Sequence, residues 1–532
     1  MTSTPSFSKN EQHAQSGNAN SESLPPSQRK LISRFDSLAA IQIENTRVHI
    51  LNRALMLFLF LFALSVPHSI AASQISLGLG VIAWILRDLV ARRFHFAYTA
   101  IDLPLLCFAG LTILSAFFSI EPGVSLPKLK GLVLFGTVYL LATNLNARGA
   151  RILAGVLIVS SLMGVGFSLI EKLWGRGMVI TSIGADSPFR EGKLLPGDVI
   201  WMIARHRVFS LEGAALVIRR QRVGETLDVE ALHAGDPVPV TLTVTDELKA
   251  SPNPLGISVS GRSRQFRVSG FSRQFLTYAE QMQILGLLAY GGLLAAVRRW
   301  GRPGARRWLQ FSGVLFVLFT VALVMTASRA VVAACLCTLL IVSISAGRRA
   351  VMIALILALS LGAMGTYVIT SVRRQITTSF NDDSAMRRLS YMQAGLKVIP
   401  RHLLFGVGMD SHKRHWQEWD FPGDYITHTH STPIQIAMDR GLPALGCYVW
   451  LIGMMLITAW RRYQRAKQGS DIFQESLMLG VFGAGLGFSL SSLTNYNFGD
   501  SEALTMLLFV TGLLFAAGNR DQPNSGREGL AQ

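Results

Sequence analysis

Apolar runs long enough to cross a hydrocarbon layer recur along the chain, near 51–68, 70–86, 101–119, 130–146, 152–174, 276–297, 308–326, 330–346, 350–370, 433–459, 473–493 and 502–518. A bilayer core of ~30 Å takes about 20 residues of helix, so the pattern predicts an all-α polytopic membrane protein of about 12 transmembrane helices. An even number of crossings puts both termini on one side. The basic residues fall in alternate connections: Arg87 to Arg93, Arg148 to Arg151, Arg298 to Arg307, Arg348 with Arg349, and Arg461 to Lys467. Of the intervening connections, the short EPGVSLPK and NYNFGDSE hold no arginine. Positive charge is retained on the cytosolic side, so the termini are expected there. Two long polar stretches, 175–275 and 372–432, are then expected on the outer side.

The first of these stretches carries its own periodicity. Pro196, Gly197 and Asp198 mark a turn, followed by the strand-like Val199, Ile200 and Trp201. Residues 210–222 have helical spacing, with Leu211, Ala215, Leu216 and Ile218 expected on one face. VPVTLTVTD then alternates as a half-buried strand does. A small inserted α+β domain is predicted over 177–262.

Composition agrees with a membrane protein. Half of the residues are hydrophobic and 15% are charged, where a soluble domain carries about 25%. The net charge of +18 sits in short loops between apolar runs, which makes it a topology signal and excludes a nucleic-acid groove. The four cysteines lie within apolar runs and predict no disulfide framework and no Cys-based metal site. Residues 1–46 are polar, read as a disordered cytosolic tail without a cleaved signal, and 519–532 as a second cytosolic tail.

Candidate chemistry gathers in residues 372–441, which hold five of the eleven histidines: His402, His412, His415, His428 and His430. Imidazole titrates near neutrality and takes protons from hydroxyls. His412-x-x-His415 and His428-x-His430 suggest a metal site, but no Asp/Glu–His pattern completes one, and no metal is expected. The absence of H-E-x-x-H removes a zinc protease. Arg329 stands between two apolar runs, where a charge is costly unless it serves a polar cavity or reaches the interface. Arg388 and its neighbour Arg387 lie on a helix outside the membrane, with Leu389, Met392, Leu396 and Ile399 at helical spacing and Pro400 ending it. A transporter would also place arginines in a cavity, but would carry charge deep in several spans, which is nearly lacking.

Five blocks in order carry a family resemblance: SAFFSIEPGVSLPKLKGL at 115–132, FRVSGFSRQFLTYAEQM at 266–282, MTASRAVVA at 325–333, RRLSYMQAGLKVIPRHLLFGVG at 387–408, and HSTPIQIAMDRGLPALG at 430–446. The chain resembles the O-antigen ligase and polymerase superfamily. Ser431, Pro433 and Met392 stand where that family more often has Asn, an aromatic residue and Trp. The resemblance implies His430 as the catalytic base and Arg388 and Arg329 as functional arginines, with Arg387, His428 and Arg267 as further candidates. It implies a metal-independent, inverting glycosyltransferase without a cofactor, taking an undecaprenyl-diphosphate-linked glycan to a lipid A–core acceptor. The alternatives are an O-antigen or exopolysaccharide polymerase, a protein O-glycosyltransferase and a polysaccharide transporter. The insert resembles a bacterial PDZ domain through Ser187, Pro188, Leu194, Pro196, Gly197, Asp198 and Ile200. Leu255, Gly256 and Ile257 resemble the ligand loop of such domains, and a peptide or protein partner is implied. The expected organisation is a tail 1–46, transmembrane helices 47–176, the PDZ-like insert 177–262, helices 263–371, a catalytic loop 372–432, helices 433–518 and a tail 519–532. The place is the bacterial inner membrane, with membrane lipids around it and the active site facing the periplasm.

Overall fold

The computed structural model of the chain describes residues 38–39, 46–190, 194–233, 236–272, 274–373, 383–422 and 428–518. The helices are α1 Thr46–Ser65, α2 Ile70–Ala91, α3 Asp102–Phe117, α4 Gly136–Asn144, α5 Ala147–Trp174, α6 Leu211–Arg219 and α7 Phe275–Arg298. They continue as α8 Ala305–Met325, α9 Arg329–Ala346, α10 Arg348–Arg373, α11 Asp383–Val398, α12 Thr432–Ala466, α13 Ile472–Ser491 and α14 Ser501–Ala517. Every apolar run of the sequence forms helix. Among the described residues 8 helices are long and apolar enough to cross a membrane, while α3, Arg329–Ile344 of α9, and α14 are shorter apolar helices. The expected twelve crossings are therefore met at eight places by length and composition. Of the tail 1–46, Ala39 forms a β-bridge with Leu145; the tail otherwise lies largely outside the described residues, as does 519–532.

Two runs differ from expectation. The element expected at 130–146 starts at Pro122 and is wound as a 3-10 helix over Leu126–Phe135 before α4. Pro127 lacks an amide donor and Gly131 favours no helix, which weakens α-winding there. The run expected at 433–459 is α12, a helix broken at Gly441 (φ 84°) into a short arm 432–440 and a long arm from Leu442. Asp439 and Arg440 directly precede the break and Pro443 follows it.

The chain divides into two compact units. The first comprises 1–161, 284–316 and 387–532. Here α1 packs on α2, α3 on α12, α4 on α14, and α12 on α13. Its buried Glu475 is matched: it takes Arg298 at 2.5 Å and Arg299 at 2.6 Å, and Arg299 also donates to the carbonyls of Gly469 and Ser470. A buried carboxylate so fully paired avoids the desolvation cost of an isolated ion.

The second unit comprises 162–283 and 317–386. It contains strands β1 Met178–Ile183, β2 Val199–Ile203, β3 His206–Arg207, β4 Thr226–His233, β5 Asp236–Thr243 and β6 Ile257–Val259. The sheet runs β5-β4-β2-β1-β6, antiparallel throughout, with β3 beside β2. Met178, Ile200, Val229, Leu242 and Ile257 fill its core with Ala214 and Ile218 of α6. Of the face expected to hold Leu211, Ala215, Leu216 and Ile218, Leu216 is instead 56% exposed. Ala215 and Ile218 of the expected face are buried, together with Ala214 one position earlier, and Leu211 packs against the same core. The sheet is tied to the end of α5: Glu171 accepts from Arg176 at 2.6 Å and from Arg207 at 2.8 Å. The Arg176 guanidinium also lies between the rings of Trp201 (4.7 Å) and Phe266 (4.2 Å).

Candidate active site

Helix α11 ends in a 3-10 turn, Ile399–Arg401, as its proline requires. Its buried residues are Tyr391, Ala394, Gly395 and Val398. Of the apolar residues at helical spacing, Leu389 and Leu396 are 47% and 52% exposed, Met392 is half-buried and Ile399 is buried. Gly395 decides the face: a Cβ there would come within 2.8 Å of the Thr429 methyl and 3.0 Å of Ile434. That close approach turns the helix away from the larger side chains.

The chain then doubles back through Gly406 (φ 69°) and Gly408 (φ 94°), left-handed positions that glycine takes without a Cβ penalty. A Cβ on Gly406 would strike the backbone of Asp439 and Arg440, and one on Gly408 the hydroxyl of Ser119. The backbone of this loop bonds the short arm of α12, Val407 N to Met438 O at 2.8 Å and Gly408 N to Asp439 O at 2.9 Å. Leu442 N closes the break by donating to Leu403 O at 2.8 Å. A buried cluster of hydroxyls braces the loop from behind: Ser119 lies 2.8 Å from Ser125 and 3.0 Å from Ser411.

Between these supports stands His430, with φ 55° in the left-handed region that non-glycine residues seldom occupy. Its N–H donates to His428 Nδ1 at 3.2 Å, and the two rings meet edge to face at 4.3 Å. Tyr391 of α11 stacks on His430 at 5.7 Å, and Tyr496 packs on His428 at 5.6 Å. The flanking threonines are pinned: Thr429 N donates to Gln435 Oε1 at 2.7 Å, and Thr432 Oγ1 to Asn495 O at 3.0 Å. Gln435 also donates to Asp439 Oδ1 at 2.9 Å, with His412 Nδ1 3.6 Å from the same oxygen.

Burial and then the Arg388 cation hold His430 down at about 4. Burial, followed by the charges of His430, His412, Lys413 and Arg388, holds His428 down at about 3. Both rings are therefore neutral near pH 7. Among the described residues, the buried Nδ1 of His430 has no hydrogen-bond partner. Such a site offers a neutral imidazole beside a permanent cation.

His430, His428 and Arg388 thus come together in the first unit, with Arg387 exposed on the same helix as Arg388. Arg329 and Arg267 belong to the second unit. Arg329 is the exposed first residue of α9, after Ala327 at φ 51°. A cation at a helix N-terminus opposes the helix dipole, so helix stability does not explain it. Arg267 lies over the ring of Phe275 at 4.6 Å. The spaced histidines part company: His412 faces Gln435 and Asp439, whereas His415 lies 2.9 Å from Glu418 and 3.3 Å from Glu121. Among the described residues no three His, Cys, Asp or Glu side chains group to hold a metal. Sequence reasoning passed over Tyr391, Tyr496 and the Gln435–Asp439 pair. The helical spacing of Thr432, Gln435 and Asp439 within an otherwise apolar arm was the signal available for the last.

In the inserted domain, Gly256 (φ 59°) packs so closely that a Cβ would lie 2.7 Å from the Ser187 backbone. Gly184 N donates to Gly256 O at 2.8 Å, so alternation turns the N–H and C=O of Ile257 away from β1, toward the open side of β6. Asn253 already occupies this edge: its Nδ2 donates to Ile257 O at 2.8 Å, and its carbonyl accepts from Gly256 N at 3.1 Å.

Two families match the chain. The O-antigen ligase family matches residues 314–449, a span that takes in Arg329, Arg388 and His430, and the PDZ domain family matches residues 161–244. The sheet continues past the second match to β6. No curated protein matches the chain. The chain thus carries an O-antigen ligase family domain and, ahead of it, a PDZ domain.

Proposed function

We propose that the protein moves a polyprenyl-diphosphate-linked glycan onto a lipid A–core hydroxyl at the periplasmic face of the bacterial inner membrane. The coarser statement follows from the family: this is a membrane protein of the ligase or polymerase type, a glycosyltransferase-like enzyme acting on a lipid-linked glycan and an acceptor. In the finer reading, His430 takes the proton of the acceptor hydroxyl as its oxygen attacks the anomeric carbon. The bond from that carbon to the diphosphate oxygen breaks, the configuration inverts, and polyprenyl diphosphate leaves. Arg388 beside His430, and Arg329 by resemblance, meet the charge that develops on the diphosphate; guanidinium is fork-shaped for phosphate oxygens and always charged. Both termini are then cytosolic, with 177–262 and 372–432 in the periplasm.

The observation that carries this reading is the neutral, half-buried His430 held next to Arg388. Complementation of a deletion strain tests it, with surface glycan separated on a gel. Loss of long glycan from lipid A–core with lipid-linked polymer accumulating identifies a ligase, and a single repeat unit left on the core identifies a polymerase. His430→Ala, Arg388→Ala and Arg329→Ala are expected to abolish transfer while the protein still inserts. Full activity in His430→Ala would sink the mechanism.

A further inference from the structure

We propose that His428 is a positioning residue, whose Nδ1 holds the backbone of His430 in the left-handed conformation that aims the His430 ring. The inference rests on His430 as the base. A residue other than glycine at φ 55° persists only where its surroundings over-determine it. Three contacts do so here, and one addresses the backbone directly. The His430 N–H donates to His428 Nδ1, closing a tight His-x-His turn in which the first side chain substitutes for a backbone acceptor.

That bond also sets the state of His428. With Nδ1 accepting, the ring of a neutral His428 carries its proton on Nε2. A protonated His428 would donate from both nitrogens and could no longer accept from His430 N–H. Burial among cationic neighbours keeps the ring neutral, and so keeps the acceptor in place. Tyr496, from the segment between α13 and α14, packs against the His428 ring at 5.6 Å and so restrains where that acceptor points. The His430 ring then stands against Tyr391, with its buried Nδ1 unpartnered among the described residues. His428 in this role touches no reacting atom.

The test uses the full-length protein in proteoliposomes, with lipid-linked glycan and lipid A–core extracted from the deletion strain as substrates. His428→Asn places an oxygen acceptor where Nδ1 stood; His428→Leu fills the space without one; His428→Ala removes both. His428→Ala and His428→Leu are expected to lower kcat at least tenfold with the donor KM within about twofold of wild type, and His428→Asn to recover kcat to within about threefold. Equal losses in His428→Asn and His428→Leu, or a near-normal kcat in His428→Leu, would overturn the proposal. Where His428→Ala fails to accumulate, the Asn and Leu variants still decide between an acceptor and mere packing. His430→Ala run in parallel separates the two readings: activity there removes the base, whereas an inactive His430→Ala with an unrescued His428→Asn removes only the positioning role.

Discussion

The depressed basicity of His430 makes a prediction about acidity. An ordinary imidazole, titrating near 6.5, would be only about one-tenth in the base form at pH 5.5, and a transfer rate that needs the base would fall about tenfold between pH 7.5 and 5.5. With His430 held at about 4 by burial and the Arg388 charge, about 97% of it is still base at pH 5.5. The sign is fixed by the causes: burial and a neighbouring cation both disfavour the imidazolium, so the acid limb moves to lower pH. The quantity to measure is kcat/KM for the lipid-linked donor, which reports the free enzyme, from pH 4.5 to 8 in proteoliposomes. A flat profile down to about pH 5 is expected, with the fall beginning below it. Arg388→Gln removes the second cause and should move the limb of any residual activity upward. A tenfold loss between pH 7.5 and 5.5 in the wild type would refute the reasoning, because it would mean that the base titrates as a solvated histidine does.

The same two rings should shape stability. His428 and His430 are neutral in the fold and protonatable when unfolded, so the unfolded chain binds more protons between their lowered values and about 6.5; the apparent Tm should therefore drop from pH 7 to pH 5, less so in His428→Asn, and a Tm that rises on acidification would contradict this. Gly441→Ala puts a side chain at φ 84° against the carbonyl of Leu404; the left-handed backbone alone costs ~1–2 kcal/mol, so a lower Tm and lost transfer are expected, and an unchanged Tm would show that the break is not required. In the PDZ domain, Asn253→Ala frees the Ile257 carbonyl and should tighten binding of labelled decapeptides with a free C-terminal carboxylate several-fold by fluorescence anisotropy; weaker binding would show that Asn253 builds the groove and does not block it.

Much of this architecture was readable because its cause is local. A run of apolar residues has no soluble alternative to helix in lipid, so the helices follow from composition alone. The strand Val199–Ile203 and the alternation in β5 were visible for the same reason. What stayed hidden depends on contacts far apart in the chain. Leu389 and Leu396 had the right spacing for an inward face, yet Gly395 meeting Thr429 sets the rotation of α11. The break at Gly441 is completed by a bond from Leu442 N to the distant Leu403 carbonyl, which no local pattern announces. His428 was a further candidate by resemblance, but its bond to the His430 backbone is visible only in the fold. Arg329 was conspicuous from the start, because a charge beside an apolar run calls for a reason.

The histidine base invites comparison with catalytic arrangements in which a carboxylate orients the imidazole and stabilises it once protonated. Here the carboxylate on the short arm of α12, Asp439, is engaged by Gln435 and His412. The charge that acts on His430 is a cation, Arg388. A proton taken up in the free enzyme is thus poorly held, which keeps the base available but also makes it weak. The proposed donor resolves the conflict. A diphosphate bound to Arg388 offsets the cation that depresses His430, and the negative charge released as the glycosidic bond breaks favours the imidazolium further. Basicity would then rise when both substrate and leaving group are in place, and a resting enzyme would not hold a proton it cannot use. It follows that the acid limb of kcat, which reports the donor complex, should lie at higher pH than that of kcat/KM. Coincident limbs would mean that the diphosphate does not reach Arg388, and that another cation meets the leaving group.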